Sequence, residues 1–122
     1  MQAYPDIEVY PDYETALERC GGAYDDRELA ELTLKKTLAI LSSDLTQALH
    51  PPNSQATLTA LSVIPGNEPR ILDFGGSFGP HYFLAKKSIP RRCRWAVVET
   101  PVIAELGGQL ENEELIFLVR AR

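Results

Sequence analysis

The chain has 122 residues, room for one modest domain, and with 44% hydrophobic and 24% charged residues it has the profile of a globular protein rather than a disordered or collagen-like one. Seventeen acids against twelve bases leave a net charge of −5, which disfavours nucleic acid as a partner, since domains of that class carry a basic excess. No run approaches the ~18 apolar residues of a membrane span, Met1-Gln-Ala-Tyr-Pro-Asp lacks the marks of a secretion signal, and Cys20 and Cys93 form neither a disulfide framework nor a metal knuckle.

Prolines 5 and 11 among tyrosines make the first dozen residues irregular. A short helix is expected from Tyr13 to Cys20, stopped by Gly21-Gly22. Asp25 or Asp26 then caps a longer helix whose leucines at 29, 32, 38, 41, 45 and 49 recur along one face of a 3.6-residue period. Pro51-Pro52 ends it, because proline disfavours helix in the residue before it. Asn53 or Ser54 caps a third helix through Leu58, Leu61 and Ile64, closed by Pro65-Gly66. Residues 1–69 are therefore expected to be a helical N-terminal segment.

From Arg70 the period changes. Ile71-Leu72-Asp73-Phe74 is a short apolar run ending in glycines, as a buried parallel strand would be. Pro80 to Ser88 fits a helix, with Pro80 tolerated in the first turn. Arg94 to Glu99 is a second strand, Thr100-Pro101 opens a helix to about Leu110, and Leu115 to Val119 is a third strand. The order β-α-β-α-β predicts an α/β fold over residues 70–122: a parallel sheet of about three strands in a three-layer arrangement, with right-handed crossovers.

Charge is uneven along this order. Residues 1–31 hold nine acids and two bases, whereas residues 70–95 hold Arg70, Lys86, Lys87, Arg91, Arg92 and Arg94 against the single acid Asp73. Two solvated faces that attract each other account for this, and a basic rim around an anionic substrate is the competing reading. Cys93 among arginines is expected to have a lowered pKa, although packing at the start of the strand is its ordinary role. Trp95 and Phe117 are expected in the core.

The stretch Asp73-Phe74-Gly75-Gly76-Ser77-Phe78-Gly79 joins a strand to a helix, the context in which a glycine turn acquires chemical meaning. Small residues let the backbone bend and approach a ligand, and the helix beginning near Pro80 points its free N–H groups at it. The dinucleotide pattern G-x-G-x-x-G fails at Ser77 and Pro80, and the lysine of a phosphate loop is missing. Acid-x-Gly-x-small-x-Gly fits, filled by Asp73, Gly75, Ser77 and Gly79. An acid before the turn suits a ligand with an ammonium or sulfonium group and hinders a pyrophosphate. Glu99, twenty residues beyond Gly79, stands where a carboxylate accepts hydrogen bonds from ribose hydroxyls. Each residue also has a structural reading: Asp73 as a cap for the turn, Glu99 as a solvated acid opening a helix, the glycines as geometry alone.

These motifs, with Trp95-Ala96-Val97-Val98-Glu99-Thr100-Pro101 downstream and Gly21-Gly22-Ala23-Tyr24-Asp25 upstream, resemble a family of Rossmann-like S-adenosylmethionine-dependent methyltransferases often met in bacterial surface-polysaccharide contexts. The resemblance spans residues 13–119. It implies S-adenosylmethionine as cofactor, with Asp73, Gly75, Gly76, Ser77 and Gly79 at its methionine end and Glu99 at its ribose, and a small-molecule or saccharide acceptor. A complete domain of that class has about seven strands, so residues 70–122 are expected to be its front part. An open edge beyond Val119 then predicts homo-oligomers. His81 is the candidate general base; His50 reads as a helix-end residue. Gly21-Gly22 is a candidate hinge that lets the helical segment, with Tyr24, lie over the crevice. A cytoplasmic location and no metal are expected. A non-catalytic Rossmann-like binding or oligomerisation module is the alternative function, and a nicotinamide-dependent oxidoreductase a third, disfavoured by Ser77 and Pro80.

Overall fold

The computed structural model describes residues 8–19, 26–42, 52–89 and 91–120, with the side chains of 52–54 outside the description. Cys20, Gly21-Gly22, Tyr24, Leu45, Leu49 and His50, which figure in the expectations above, lie outside the described residues. In chain order the elements are α1 (Tyr13–Arg19), α2 (Arg27–Leu41), α3 (Pro52–Val63), β1 (Arg70–Phe74), α4 (Pro80–Ser88), β2 (Arg94–Glu99), α5 (Pro101–Gly107) with a 3₁₀ turn at Gly108–Leu110, and β3 (Leu115–Val119). The strands form one parallel sheet in the order β1-β2-β3. The fold is α/β and corresponds to part of a Rossmann-like domain.

Alternation along the strands decides where the core lies, because successive side chains point to opposite faces. Trp95, Val97, Leu115 and Phe117 are buried on the odd-numbered face. They pack with Tyr82 and Ala85 of α4, Ala104 of α5, Leu61 of α3 and Cys93. The rings of Tyr82 and Trp95 meet edge to face at 5.7 Å. Trp95 and Phe117 are core residues, as expected. The even-numbered face is bare by contrast: Leu72 and Phe74 are 68% and 67% exposed, and Ile116 and Leu118 are also exposed. Of the three layers of a doubly wound fold, the described residues form two.

The helical segment attaches through α3, whose Leu61 joins this core, and through α2. Asp26 caps it by accepting the Leu29 N–H at 3.2 Å. The buried residues of α2 are Ala30 and Leu34, whereas Leu29, Leu32 and Leu38 are exposed. The leucine stripe thus corrects to a face on the 30, 34, 37, 41 phase. Thr37, half-buried on that face, donates its hydroxyl to the Thr33 carbonyl one turn back. α3 begins at Pro52 itself, one residue before the expected cap, since proline suits the first helical position.

Candidate functional site

Beyond Phe74 the chain makes a tight turn at the carboxyl end of β1. Gly75 lies at φ 69°, Ser77 at 53° and Gly79 at 74°, all in the left-handed region. Glycine tolerates that region freely and serine does not. The Gly75 N–H still bonds to the Val98 carbonyl at 2.8 Å, as an extension of the β1–β2 ladder, and the Gly79 N–H closes the turn onto the Gly76 carbonyl at 3.0 Å. Phe78, fully buried, plugs the turn into a second core formed with Ala30 and Leu34 of α2. The helical segment therefore braces the turn through Phe78.

Two carboxylates close on this turn from the odd-numbered face. Glu99, 9% exposed at the end of β2, accepts the Ser77 N–H on Oε1 at 2.8 Å and the Thr100 N–H on Oε2 at 3.0 Å. The expectation of a solvated acid at this position is thereby corrected, and the Thr100 hydroxyl makes no capping bond to α5. The Glu99 bond holds Ser77 in its unfavourable conformation. Asp73 lies over Gly76, so close that a methyl group there would come within 2.4 Å of its carboxyl carbon. Its Oδ2 accepts the Trp95 indole N–H at 3.1 Å. Trp95, read from the sequence as core alone, thus also orients Asp73; both lie on one face of adjacent strands, a relation that follows once the register Ile71 to Trp95 is known.

Asp73, Gly75, Gly76, Ser77, Gly79 and Glu99 are thus brought together in one turn and its flank. His81 stands in the first turn of α4, half-buried. Past β3, the Arg120 guanidinium donates to the Tyr13 hydroxyl at 2.7 Å, and its backbone N–H to the Glu99 carbonyl at 2.7 Å. No local signal marks that link between α1 and the sheet, because its partners lie more than a hundred residues apart.

The basic band lies elsewhere. Arg70 and Arg94 start β1 and β2, and Lys86 and Lys87 end α4, so these bases sit at the amino ends of the strands. Arg91 donates to the Leu61 carbonyl at 3.0 Å and to that of Gly66. These groups belong to the end of α3 and the loop after it, so the guanidinium caps the helix. Lys86 pairs with Glu114 at 2.7 Å. A basic rim around the crevice is therefore replaced by a structural cluster at the opposite end of the sheet. Cys93 also belongs to it. Burial pushes its thiol up to about 11, reinforced by the Glu114 carboxylate, so the expected lowering by arginines is reversed. The described residues contain no His/Cys/Asp/Glu group able to hold a metal, and no described helix is long and apolar enough to cross a membrane. No protein-family model matches the chain, and no curated protein matches it.

Proposed function

We propose that the chain binds S-adenosylmethionine at the carboxyl end of its sheet and constitutes the cofactor-binding part of a methyltransferase acting on a small-molecule or saccharide-type acceptor. The observation that carries this reading is the charge at the glycine turn. Asp73 and Glu99 flank it, while the six bases of residues 70–95 gather at the far end. Two carboxylates repel a pyrophosphate and attract an ammonium or sulfonium group. That favours S-adenosylmethionine over a nicotinamide dinucleotide, in line with the motif.

The residues present fit such a cofactor. A carboxylate offers about four acceptor positions, and Glu99 uses two on backbone N–H groups, which leaves two for ribose hydroxyls. A Cβ at Gly75 would meet nothing within 4 Å, so the backbone there is open to close approach. S-adenosylmethionine supplies an electrophilic methyl group on sulfur. The chain's own part is to hold and orient, the contribution on which such transfers mainly depend. His81, near the turn, is the candidate to take the proton that an acceptor hydroxyl or amine releases.

Titration calorimetry with S-adenosylmethionine and with NAD, on the wild type and on Glu99→Gln and Glu99→Ala, tests the reading. S-adenosylmethionine is expected to bind and NAD not. Glu99→Gln keeps one acceptor oxygen and weakens binding about tenfold, equivalent to one hydrogen bond of about 1.4 kcal/mol. Glu99→Ala weakens it further by also freeing Ser77. Binding of NAD alone overturns the proposal, and binding of neither favours a non-catalytic module.

A further inference from the structure

Parallel sheets are ordinarily covered on both faces, and the even-numbered face here presents Leu72, Phe74, Ile116 and Leu118 to solvent. Half-buried Ala96 and Val98 of β2 run between them. At the amino end of this face opens a concavity of about 480 Å³, lined among others by Arg70, Arg94 and Glu113. Reading across that rim from β1 to β3, the charge passes from positive to negative. Arg70 and Arg94 are neighbours in register, and Glu113 precedes β3. The adjacent Glu114 is already paired with Lys86, so Glu113 carries the negative end.

We propose that this face is a self-association surface on which a second copy of the chain packs, sheet against sheet, with its strands aligned to those of the first. The charges select this arrangement. A two-fold axis running along β2 keeps strand direction and exchanges β1 with β3, so Arg70 of each copy meets Glu113 of the other. It also stacks Leu72 on Ile116 and Phe74 on Leu118. A two-fold axis across the strands would instead set Arg70 of each copy over Phe74 at the carboxyl end of β1, away from Glu113. Aligned packing within about 30° is also the ordinary way in which two sheets stack. Arg94 meets its own counterpart near the axis, and Glu68, 3.7 Å away in the same copy, offsets that repulsion.

The size of the face sets the strength. Three strands about 4.8 Å apart and five residues at about 3.3 Å each give a footprint of about 15 by 17 Å. That is well under the ~800 Å² per partner of a standard interface, so the dimer is a weak one that dissociates on dilution. The glycine turn stays open, because it lies beyond the strand ends and its carboxylates approach from the other face.

Sedimentation velocity of the 122-residue chain, from about 1 to about 200 µM, is the test. The wild type is expected to pass from monomer to dimer within that range. Leu72→Asp, at an exposed position, holds it monomeric with an unchanged circular dichroism spectrum. Arg70→Glu weakens association about tenfold or more, and Arg70→Glu combined with Glu113→Arg restores it. A wild type that stays monomeric throughout, assembly that passes beyond a dimer, or association indifferent to the Arg70 and Glu113 exchange would each overturn the proposal. The charge exchange involves rim residues alone, so it remains decisive even where Leu72→Asp fails to fold.

Discussion

A methyl group at position 76 would lie 2.4 to 2.6 Å from all three atoms of the Asp73 carboxyl group, closer than real side-chain contacts come. The carboxylate is short and is itself tied to the Trp95 indole N–H, so it has little room to yield. Gly76→Ala is therefore expected to drive Asp73 off Trp95, breaking a hydrogen bond to a charged group and lowering stability by about 1.5–3 kcal/mol. Gly108→Ala is the control: its Cβ meets nothing within 4 Å, and its φ of −53° is helical. There alanine is expected to be neutral or mildly stabilising. Urea unfolding of both variants, with tryptophan emission as a second readout of the indole N–H, checks the pair. Equal midpoints for Gly76→Ala and wild type would show that the carboxylate does not occupy that position.

At the scale of elements, α2 shows what a sequence reading resolves and where it stops. The cap at Asp26 and the periodicity were legible, because both are local signals. The phase was not. Counting leucines selects 29, 32 and 38, whereas the helix buries Ala30 and Leu34, because a small residue and a leucine beside Phe78 pack more closely than the exposed leucines can. Leu34→Ala is accordingly expected to cost about 2–4 kcal/mol, and Leu29→Ala, at a half-exposed position, less than about 1 kcal/mol. Denaturant midpoints distinguish them, and a larger loss at Leu29 would restore the leucine stripe as the packing face. The β2-α5-β3 half was legible almost to the residue, since Pro101 marks a helix start and the strands are bounded by polar positions. The glycine turn was legible for the same reason: its residues are consecutive and their backbone demands are local. The inward aim of Glu99 and the Asp73–Trp95 bond depend on sheet register, which no single segment encodes.

Across the whole molecule the two ends of the sheet are differently built. The carboxyl end holds strained backbone and carboxylates, and the amino end holds a closed cluster of Tyr82, Lys86, Cys93 and Glu114. Burial raises Tyr82, and the Glu114 carboxylate raises Lys86. Burial works against Glu114, but bonds from Lys86 and the Cys93 N–H bring it below its ordinary 4.5. These shifts predict how stability follows pH. Glu114, lowered in the folded chain, contributes stability above about pH 4.5 that is lost as pH falls further. Cys93 runs in the opposite sense, since its thiol rises from 9.0 to about 11 on folding. The unfolded thiol ionises first, so its contribution is complete below pH 9 and disappears as pH climbs towards about 11, a loss on the order of 2 kcal/mol. Tyr82 and Lys86, both raised, add losses of the same sign at higher pH. Thermal melts from pH 7 to 11 are therefore expected to show a decline beginning near pH 9, with a shallower slope between pH 9 and 11 in Cys93→Ala. Because the comparison is one of slopes, a uniform loss of stability from the missing sulfur does not disturb it. Parallel wild-type and Cys93→Ala curves would mean that the thiol titrates alike in both states and that the amino-end cluster does not enclose it.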